Sequence, residues 1–311
     1  MIGTEANPFG RLVTSMVTPF DKGLNIDFAA TERLVNHLIN TGSNSIVVCA
    51  TVGESPTLEE SERLAMLKHV ISVVNGRVKV IMGGASSNST SKAVKLSKES
   101  EKLGADGILS VIPYYNKPSQ AGMIEHFSDI AKSISLPIML YNIPGRTGTN
   151  MTVETTLKLA ESFPNIMAIK DCFGSTEQAA EIARLGPTKF RIYTGDDHLI
   201  LPFLAIGGCG VVSTAGNLVG KSISQMMELF FQGDLAKAKE LYFRNLPFFK
   251  GLFAAPNPTC LKYALAKQGL CGPYLRPPMV PLDEQQRAAF EKVLEITPLD
   301  ALDSKVSVGV S

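Results

Sequence analysis

Leu136-Pro-Ile-Met-Leu-Tyr-Asn-Ile-Pro-Gly-Arg-Thr-Gly148, then Ile166-Met-Ala-Ile-Lys-Asp171, then Ser175-Thr-Glu-Gln-Ala-Ala-Glu181 set the pattern that orders the rest of the chain. The two apolar runs are short and nearly continuous rather than alternating, as expected of parallel strands covered on both faces. Each ends in polar, chemically capable residues, and an amphipathic stretch lies between them. Ser175 is a natural helix N-cap, and Gly186-Pro187 marks the stop. Strand, helix and strand in this order make a parallel crossover unit.

The unit recurs in both directions. Apolar runs at Leu12–Val17, Ser45–Cys49, Val78–Met82, Gly107–Ile112, Leu136–Tyr141, Ile166–Ile169, Phe190–Tyr193 and Val211–Ser213 alternate with amphipathic segments. Helix starts are signalled by Asp27, by a capping box at Thr57-x-x-Glu60, and by Ser119; Gly42 and Gly104 signal stops. Eight such units predict an α/β fold, a (β/α)8 barrel over residues 1–232. No glycine-rich phosphate fingerprint follows the first run, which argues against a doubly wound sheet. Beyond it, Leu235–Phe249, Thr259–Gln268 and Asp283–Ile296 read as helices separated by Ala255-Pro-Asn-Pro258 and Arg276-Pro-Pro-Met-Val-Pro281, giving a C-terminal helical domain over 233–311. Residues after Pro298 are expected to fray.

Composition narrows the function classes. The 311 residues are 45% hydrophobic, enough for a large core, and 30 basic against 29 acidic residues leave a net charge of +1. That balance excludes a general nucleic-acid binder. Leu199–Gly220 carries no charge, but Pro202 and five glycines interrupt it, so it reads as a short helix, a turn and a buried strand, with no membrane association. The N-terminus shows no basic or apolar leader. Cys49, Cys172, Cys209, Cys260 and Cys271 are scattered, without a C-x-x-C pair. A reducing, cytoplasmic setting follows as the expectation.

In an eight-fold barrel the functional residues lie just past the C-terminal ends of the strands. Lys170 closes one of them. Desolvation there would lower its pKa and release a neutral amine able to form a Schiff base with a ketone; the alternative is an ion pair with Asp171. Tyr141 and Tyr115, linked by a hydroxyl such as Thr51, can pass protons or simply pack. Arg146 can grip a carboxylate bidentately or stay solvated. The Thr51-Val-Gly-Glu54 turn can offer backbone N–H groups to an anion. Asp196, Asp197 and His198 resemble a metal cluster, but adjacent residues do not easily face one ion, and Asp197 is a natural N-cap. His37, His69 and His126 fall in helical patterns without spaced partners, and Cys209 sits between glycines as a structural thiol. No P-loop, HExxH or G-x-S-x-G occurs.

Taken together, these strand ends resemble the class I pyruvate-dependent lyases and aldolases, the family that includes 4-hydroxy-tetrahydrodipicolinate synthase and N-acetylneuraminate lyase. The resemblance runs from Leu12-Val-Thr-Ser-Met-Val-Thr-Pro-Phe20 to Arg276-Pro-Pro-Met-Val-Pro281. It implies a (β/α)8 barrel with a helical extension, assembled as a homotetramer built of dimers. It implies Lys170 as the Schiff-base lysine, Tyr141 as the acid/base tyrosine, and Thr51 and Tyr115 as relay partners, Tyr115 reaching across a dimer interface. Gly195 and Val212 match positions lining the pyruvate pocket, and Val52 matches one that bonds the pyruvate carboxylate. Glu54 matches a supporting position. No cofactor or metal is implied beyond the covalent lysine adduct.

Arg146, in Tyr141-Asn-Ile-Pro-Gly-Arg-Thr-Gly148, favours the synthase branch, in which pyruvate condenses with aspartate semialdehyde on the route to diaminopimelate and lysine. The alternatives within the family act on sialic acids, 2-keto-3-deoxy sugar acids or 4-hydroxy-2-oxoglutarate. Two departures carry expectations. Val52 stands where most synthases have threonine, so pyruvate binding is expected to be weaker by a hydrogen bond to a charged group, on the order of 1.5–3 kcal/mol. Glu60, Arg63 and Lys92 occupy an effector region in which lysine-inhibited relatives carry histidine and glutamate, so feedback by lysine is expected to be weak or absent.

Overall fold

The computed structural model describes residues 7–301. The leader reading over the first six residues and the tail beyond Ala301 lie outside them. The strands are β1 (Leu12–Ser15), β2 (Ser45–Val48), β3 (Lys79–Met82), β4 (Gly107–Val111), β5 (Ile138–Asn142), β6 (Ile166–Asp171), β7 (Arg191–Thr194) and β8 (Gly210–Ser213). All neighbours are parallel, and β1 pairs with β8, so the sheet closes into an eight-stranded barrel. Around it run α1 (Phe28–Asn40), α2 (Glu60–Val74), α3 (Thr90–Lys102), α4 (Gln120–Ser133), α5 (Pro144–Thr147), α6 (Val153–Ser162), α7 (Thr176–Leu185), α8 (Ile200–Ala205) and α9 (Gly216–Gln232). The extension consists of α10 (Leu235–Gly251), α11 (Thr259–Lys267) and α12 (Glu284–Ile296).

Alternation along each strand sorts side chains into two cores. Val13, Val47, Ile81, Leu109, Met139, Ala168, Tyr193 and Val212, one from each strand, fill the barrel. Their neighbours, such as Leu12, Ile46, Ile108 and Ile169, pack outward against Leu34, Phe127 and Phe203 of the helices. Both faces of the sheet are therefore dry, which explains the continuous apolar runs; each such side chain contributes about 1.5–3 kcal/mol on burial. Phe9 plugs the floor edge-on to Tyr193, with centroids 6.4 Å apart. A Cβ on Gly107 would lie 2.8 Å from the Phe9 ring, so the strand start there has no room for a side chain.

One irregularity decides which way β6 faces. Ile138 of β5 pairs with Ile166, but Met139 pairs with Ala168, so Met167 is an extra residue in the ladder. Because side chains alternate with period two, this bulge reverses the facing of everything after it. It brings Lys170 into register with Tyr141 and leaves Asp171 opposite Asn142.

The caps largely follow the sequence. Asp27, Ser119 and Ser175 accept from the N–H groups of Ala30, Gly122 and Glu177 at 2.8, 3.2 and 3.1 Å. The second helix differs: its capping box is Glu59 with Glu62, not Thr57 with Glu60. Thr57 instead donates its hydroxyl to the Glu54 carbonyl at 3.0 Å, closing a turn before the helix begins. At the other end, Asp300 is pinned rather than frayed. Its N–H donates to Leu218 at 2.8 Å, and its carboxylate accepts from the Lys221 N–H at 3.1 Å. No described helix is long and apolar enough to cross a membrane.

Candidate active site

The ends of β5, β6 and β7 bring three of the singled-out residues together. Lys170 is 6% exposed, and its Nζ lies 4.2 Å from the centroid of the Tyr141 ring. Asp171, next along the strand, points to the opposite face. It accepts from the Phe173 N–H at 3.0 Å and the Asn142 amide at 3.1 Å, so the simple Lys170–Asp171 ion pair is not formed. Gly195 follows β7 directly. A Cβ there would stand 2.2 Å from the Lys170 Cε and 2.2 Å from the Cys172 Sγ, so the lysine stem and the thiol occupy the space a side chain would need. Val212 contributes to the barrel interior and is fully buried.

The electrostatics of the lysine differ from the sequence expectation. Burial pulls Lys170 down, but the acidic groups of Tyr141, Cys172 and Asp196 around it pull further up, and the balance lies above the ordinary lysine range. Burial also raises the Tyr141 phenol, against opposing effects of Lys170, Arg146 and a hydrogen bond with Thr51. The Cys172 thiol is pushed up to about 12 by burial. Lys170 thus sits buried against the Tyr141 ring, with the Cys172 thiol and the Asp196 carboxyl as its other ionisable neighbours. A lysine must be neutral to attack a ketone, and Tyr141, its ring centroid 4.2 Å from the Lys170 Nζ and its side chain lining the same cleft as Thr51, stands beside it.

Thr51 stands on an unusual turn. Cys49 and Glu54, at its two ends, both have φ of 54°, a left-handed conformation for non-glycine residues. The N–H of Glu54 donates to the Thr51 carbonyl at 3.1 Å and that of Ser55 to Ala50 at 3.2 Å. The N–H groups of Thr51 and Val52 make no hydrogen bond within the described residues, and two unpaired donors side by side suit a carboxylate. The Val52 side chain is 3% exposed and belongs to the outer core. The position whose missing hydroxyl carried the expectation of weaker pyruvate binding thus packs into the outer core, and the N–H is the polar group Val52 has to offer.

Thr51, Tyr141 and Arg146 line one cleft of about 230 Å³ together with Ser86, Tyr114 and Arg63. Arg146 reaches it from α5, which starts at Pro144 directly after β5. Arg63 was not singled out for this cleft; it is anchored by donating to the carbonyls of Leu58 and Gly84 at 3.0 and 3.2 Å. Tyr115 is not brought in. It is 91% exposed, with φ of 71°, on the loop after β4.

The structure also shows what sequence reasoning passed over. Cys172 lies two residues after Lys170, hence on the same strand face, and that spacing was the available signal. Asp197 does not serve as a simple cap. It is buried, accepts from the Ser213 hydroxyl and from the N–H groups of Thr214 and Ala215, and so ties the end of β7 to that of β8. Among the described residues no group of three or more His, Cys, Asp or Glu is placed to hold a metal ion.

A closed parallel barrel with its ionisable residues gathered at the strand ends defines an α/β-barrel enzyme, and the comparisons narrow the class. Residues 8–297 match the dihydrodipicolinate synthetase family, and the chain belongs to it. It is 48% identical over 289 residues to the 4-hydroxy-tetrahydrodipicolinate synthase 1 of Halalkalibacterium halodurans, covering 93% of this chain and 97% of that one. A dihydrodipicolinate synthase crystal structure from Bacillus anthracis superposes with a TM-score of 0.91 at 44% identity, covering 93% and 99% of the two chains. A synthase from Cyanidioschyzon merolae, solved with lysine bound, gives 0.91 at 43% identity over 94% and 99%.

Proposed function

We propose that this lyase condenses pyruvate with L-aspartate 4-semialdehyde to give 4-hydroxy-tetrahydrodipicolinate, on the diaminopimelate route to lysine. The pairing of Lys170 with Tyr141 at the barrel mouth carries this reading. The pyruvate carboxylate rests on the N–H groups of Thr51 and Val52. Lys170 loses a proton through Tyr141 and Thr51, and its amine adds to the ketone carbon. The resulting hydroxyl leaves as water with a proton from the phenol, giving the Schiff base. The phenolate left on Tyr141 takes a methyl proton to make the enamine, whose carbon attacks the aldehyde, and the phenol returns that proton to the new alkoxide. Arg146, at the rim, holds the carboxylate of the incoming aldehyde. The aldehyde's own amine then displaces Lys170, closing the ring and regenerating the lysine. No cofactor or metal enters the scheme.

The assembly belongs to the same reading. An almost fully exposed tyrosine on a left-handed backbone suits a partner's surface, so Tyr115 is assigned to the neighbouring subunit's relay in a dimer, with two dimers forming a tetramer. The cytoplasm is the proposed location, residues 1–232 the catalytic barrel and 233–311 the helical domain. Weak feedback by lysine is retained: Glu60 is engaged by Lys95 at 2.6 Å, and Lys92 is exposed.

The direct test is borohydride reduction in the presence of pyruvate, followed by peptide mapping. A reduced pyruvyl adduct on Lys170, with turnover of pyruvate and aspartate semialdehyde lost in Lys170→Ala, is the expected result. An adduct elsewhere, or undiminished turnover in the variant, refutes the proposal.

A further inference from the structure

Lys262 of α11 is fully buried, and so is its partner Glu54, whose carboxylate it meets at 2.5 Å. Lys262 also donates to the Tyr274 carbonyl at 2.8 Å and lies 4.0 Å from the centroid of the Phe20 ring. The other carboxylate oxygen of Glu54 accepts from the N–H of Arg276 at 3.0 Å. The Arg276 guanidinium approaches the same Phe20 ring at 4.6 Å, and it donates to the Thr57 and Leu24 carbonyls and to Glu62. The helical extension thus reaches into the barrel mouth and takes hold of one residue by both carboxylate oxygens.

That residue is the left-handed end of the turn that carries Thr51. Left-handed non-glycine conformations persist where the surroundings over-determine them. The turn is confined on its other side as well. Thr18 donates to the Gly53 carbonyl at 2.7 Å, and a Cβ on Gly53 would stand 3.1 Å from the Cys49 backbone. A buried ion pair adds little stability over an apolar pair of the same size, but removing one partner alone leaves an uncompensated buried charge, so Lys262 and Glu54 are held to each other. Here the geometry passes directly to the relay, because the Glu54 N–H donates to the Thr51 carbonyl.

We propose that Lys262 is a positioning residue for the reaction: through Glu54 it holds the turn in the shape that keeps Thr51 beside Tyr141 in the cleft the two share. The inference rests on the reaction proposed above and adds a role for the helical extension in it. Lys262 touches neither substrate nor reacting atoms, so its effect must run through Thr51.

The test is a double-mutant cycle on the full-length chain, with turnover expressed per borohydride-trappable site so that unfolded protein does not count. Lys262→Met is expected to lower turnover per site by on the order of 10²-fold, the scale of a displacement of about 1 Å. Thr51→Val should slow the wild type strongly and the Lys262→Met background by no more than about threefold, since both changes remove the same relay. Glu54→Gln/Lys262→Met, which leaves no unpaired charge, should fold and remain equally slow. Unchanged turnover per site in the Lys262 variant, or independent multiplying effects of Thr51 and Lys262, overturns the proposal. So does failure of every Lys262 variant to fold, which would make the pair structural. An inactive wild type in the same assay overturns the reaction assignment, and is told apart from inactivity confined to the variants.

Discussion

Alanine at position 195 would put a methyl group 2.2 Å from both the Lys170 Cε and the Cys172 Sγ. Carbon atoms settle at about 3.5–4.0 Å, so the lysine stem must retreat by roughly 1.3 Å or the β7 end must move by as much. The stem lies between Gly195 and the Tyr141 ring, and the ring is buried, so the amine leaves its seat rather than sliding along it. A misplacement of this size costs on the order of 10²-fold in rate, or about 2.7 kcal/mol of barrel-mouth alignment. Overpacking alone destabilises by about 1–3 kcal/mol, so thermal unfolding is followed in parallel. The assay is the rate at which borohydride fixes pyruvate on the enzyme, per folded molecule. Gly195→Ala should trap about a hundredfold more slowly while still melting cooperatively. Cys172→Ala added to it should recover part of the rate, because the methyl then has one side to lean toward. Trapping at the wild-type rate in folded Gly195→Ala would refute the assignment of that space to the lysine.

Tyr141→Phe should retain pyruvate binding but lower kcat by about 10²–10⁴-fold, the usual worth of a positioned acid/base group; an unchanged kcat removes the phenol from the relay. Arg146→Ala should raise KM for aspartate semialdehyde by roughly 10-fold or more and leave that for pyruvate near its original value, on the scale of a hydrogen bond to a charged group. Mixing Lys170→Ala with Tyr115→Phe subunits should restore activity that neither has alone, since the mixed dimer holds one site with both groups intact; no recovery places Tyr115 outside its neighbour's site. Burial raises Asp171 to about 6, above its ordinary 3.8. The folded state therefore binds its proton more tightly than the unfolded one, and stability contributed by the protonated form is lost as pH rises from about 4 to 6, by up to about 3 kcal/mol. Urea unfolding of Asp171→Asn should show a smaller decline across that window than the wild type, and parallel curves would exclude the assignment.

The barrel was legible because both of its faces are dry: eight continuous apolar runs and their N-caps read directly as strands and helices. Lys170, Tyr141, Thr51 and Arg146 stood out as candidates by their places at strand ends, and only the family resemblance attached roles to them. Three things were not. The facing of Lys170 depends on the extra residue Met167, and nothing in Ile166-Met-Ala-Ile-Lys announces a bulge. The upward shift of Lys170 balances its burial against Tyr141, Cys172 and Asp196, which belong to three different strand ends. The clamp on Glu54 comes from residues more than 200 positions away, Lys262 and Arg276, and spacing carries no information at that separation.

The join between β1 and β8 makes the sheet a ring, with Leu12 opposite Val211 and Val13 opposite Val212. In an open sheet a strand at the border can slide by two residues and lose only its border contacts. In a ring every strand has two neighbours, and a slide by one must be matched by all the others or the circle fails to shut. The height of Lys170 above the barrel floor is accordingly a property of the whole circumference. A loosened loop or a frayed helix can blunt this enzyme and a crowded neighbour can push the side chain aside, but the level of the Lys170 Cα on the barrel changes only with the register of the whole ring.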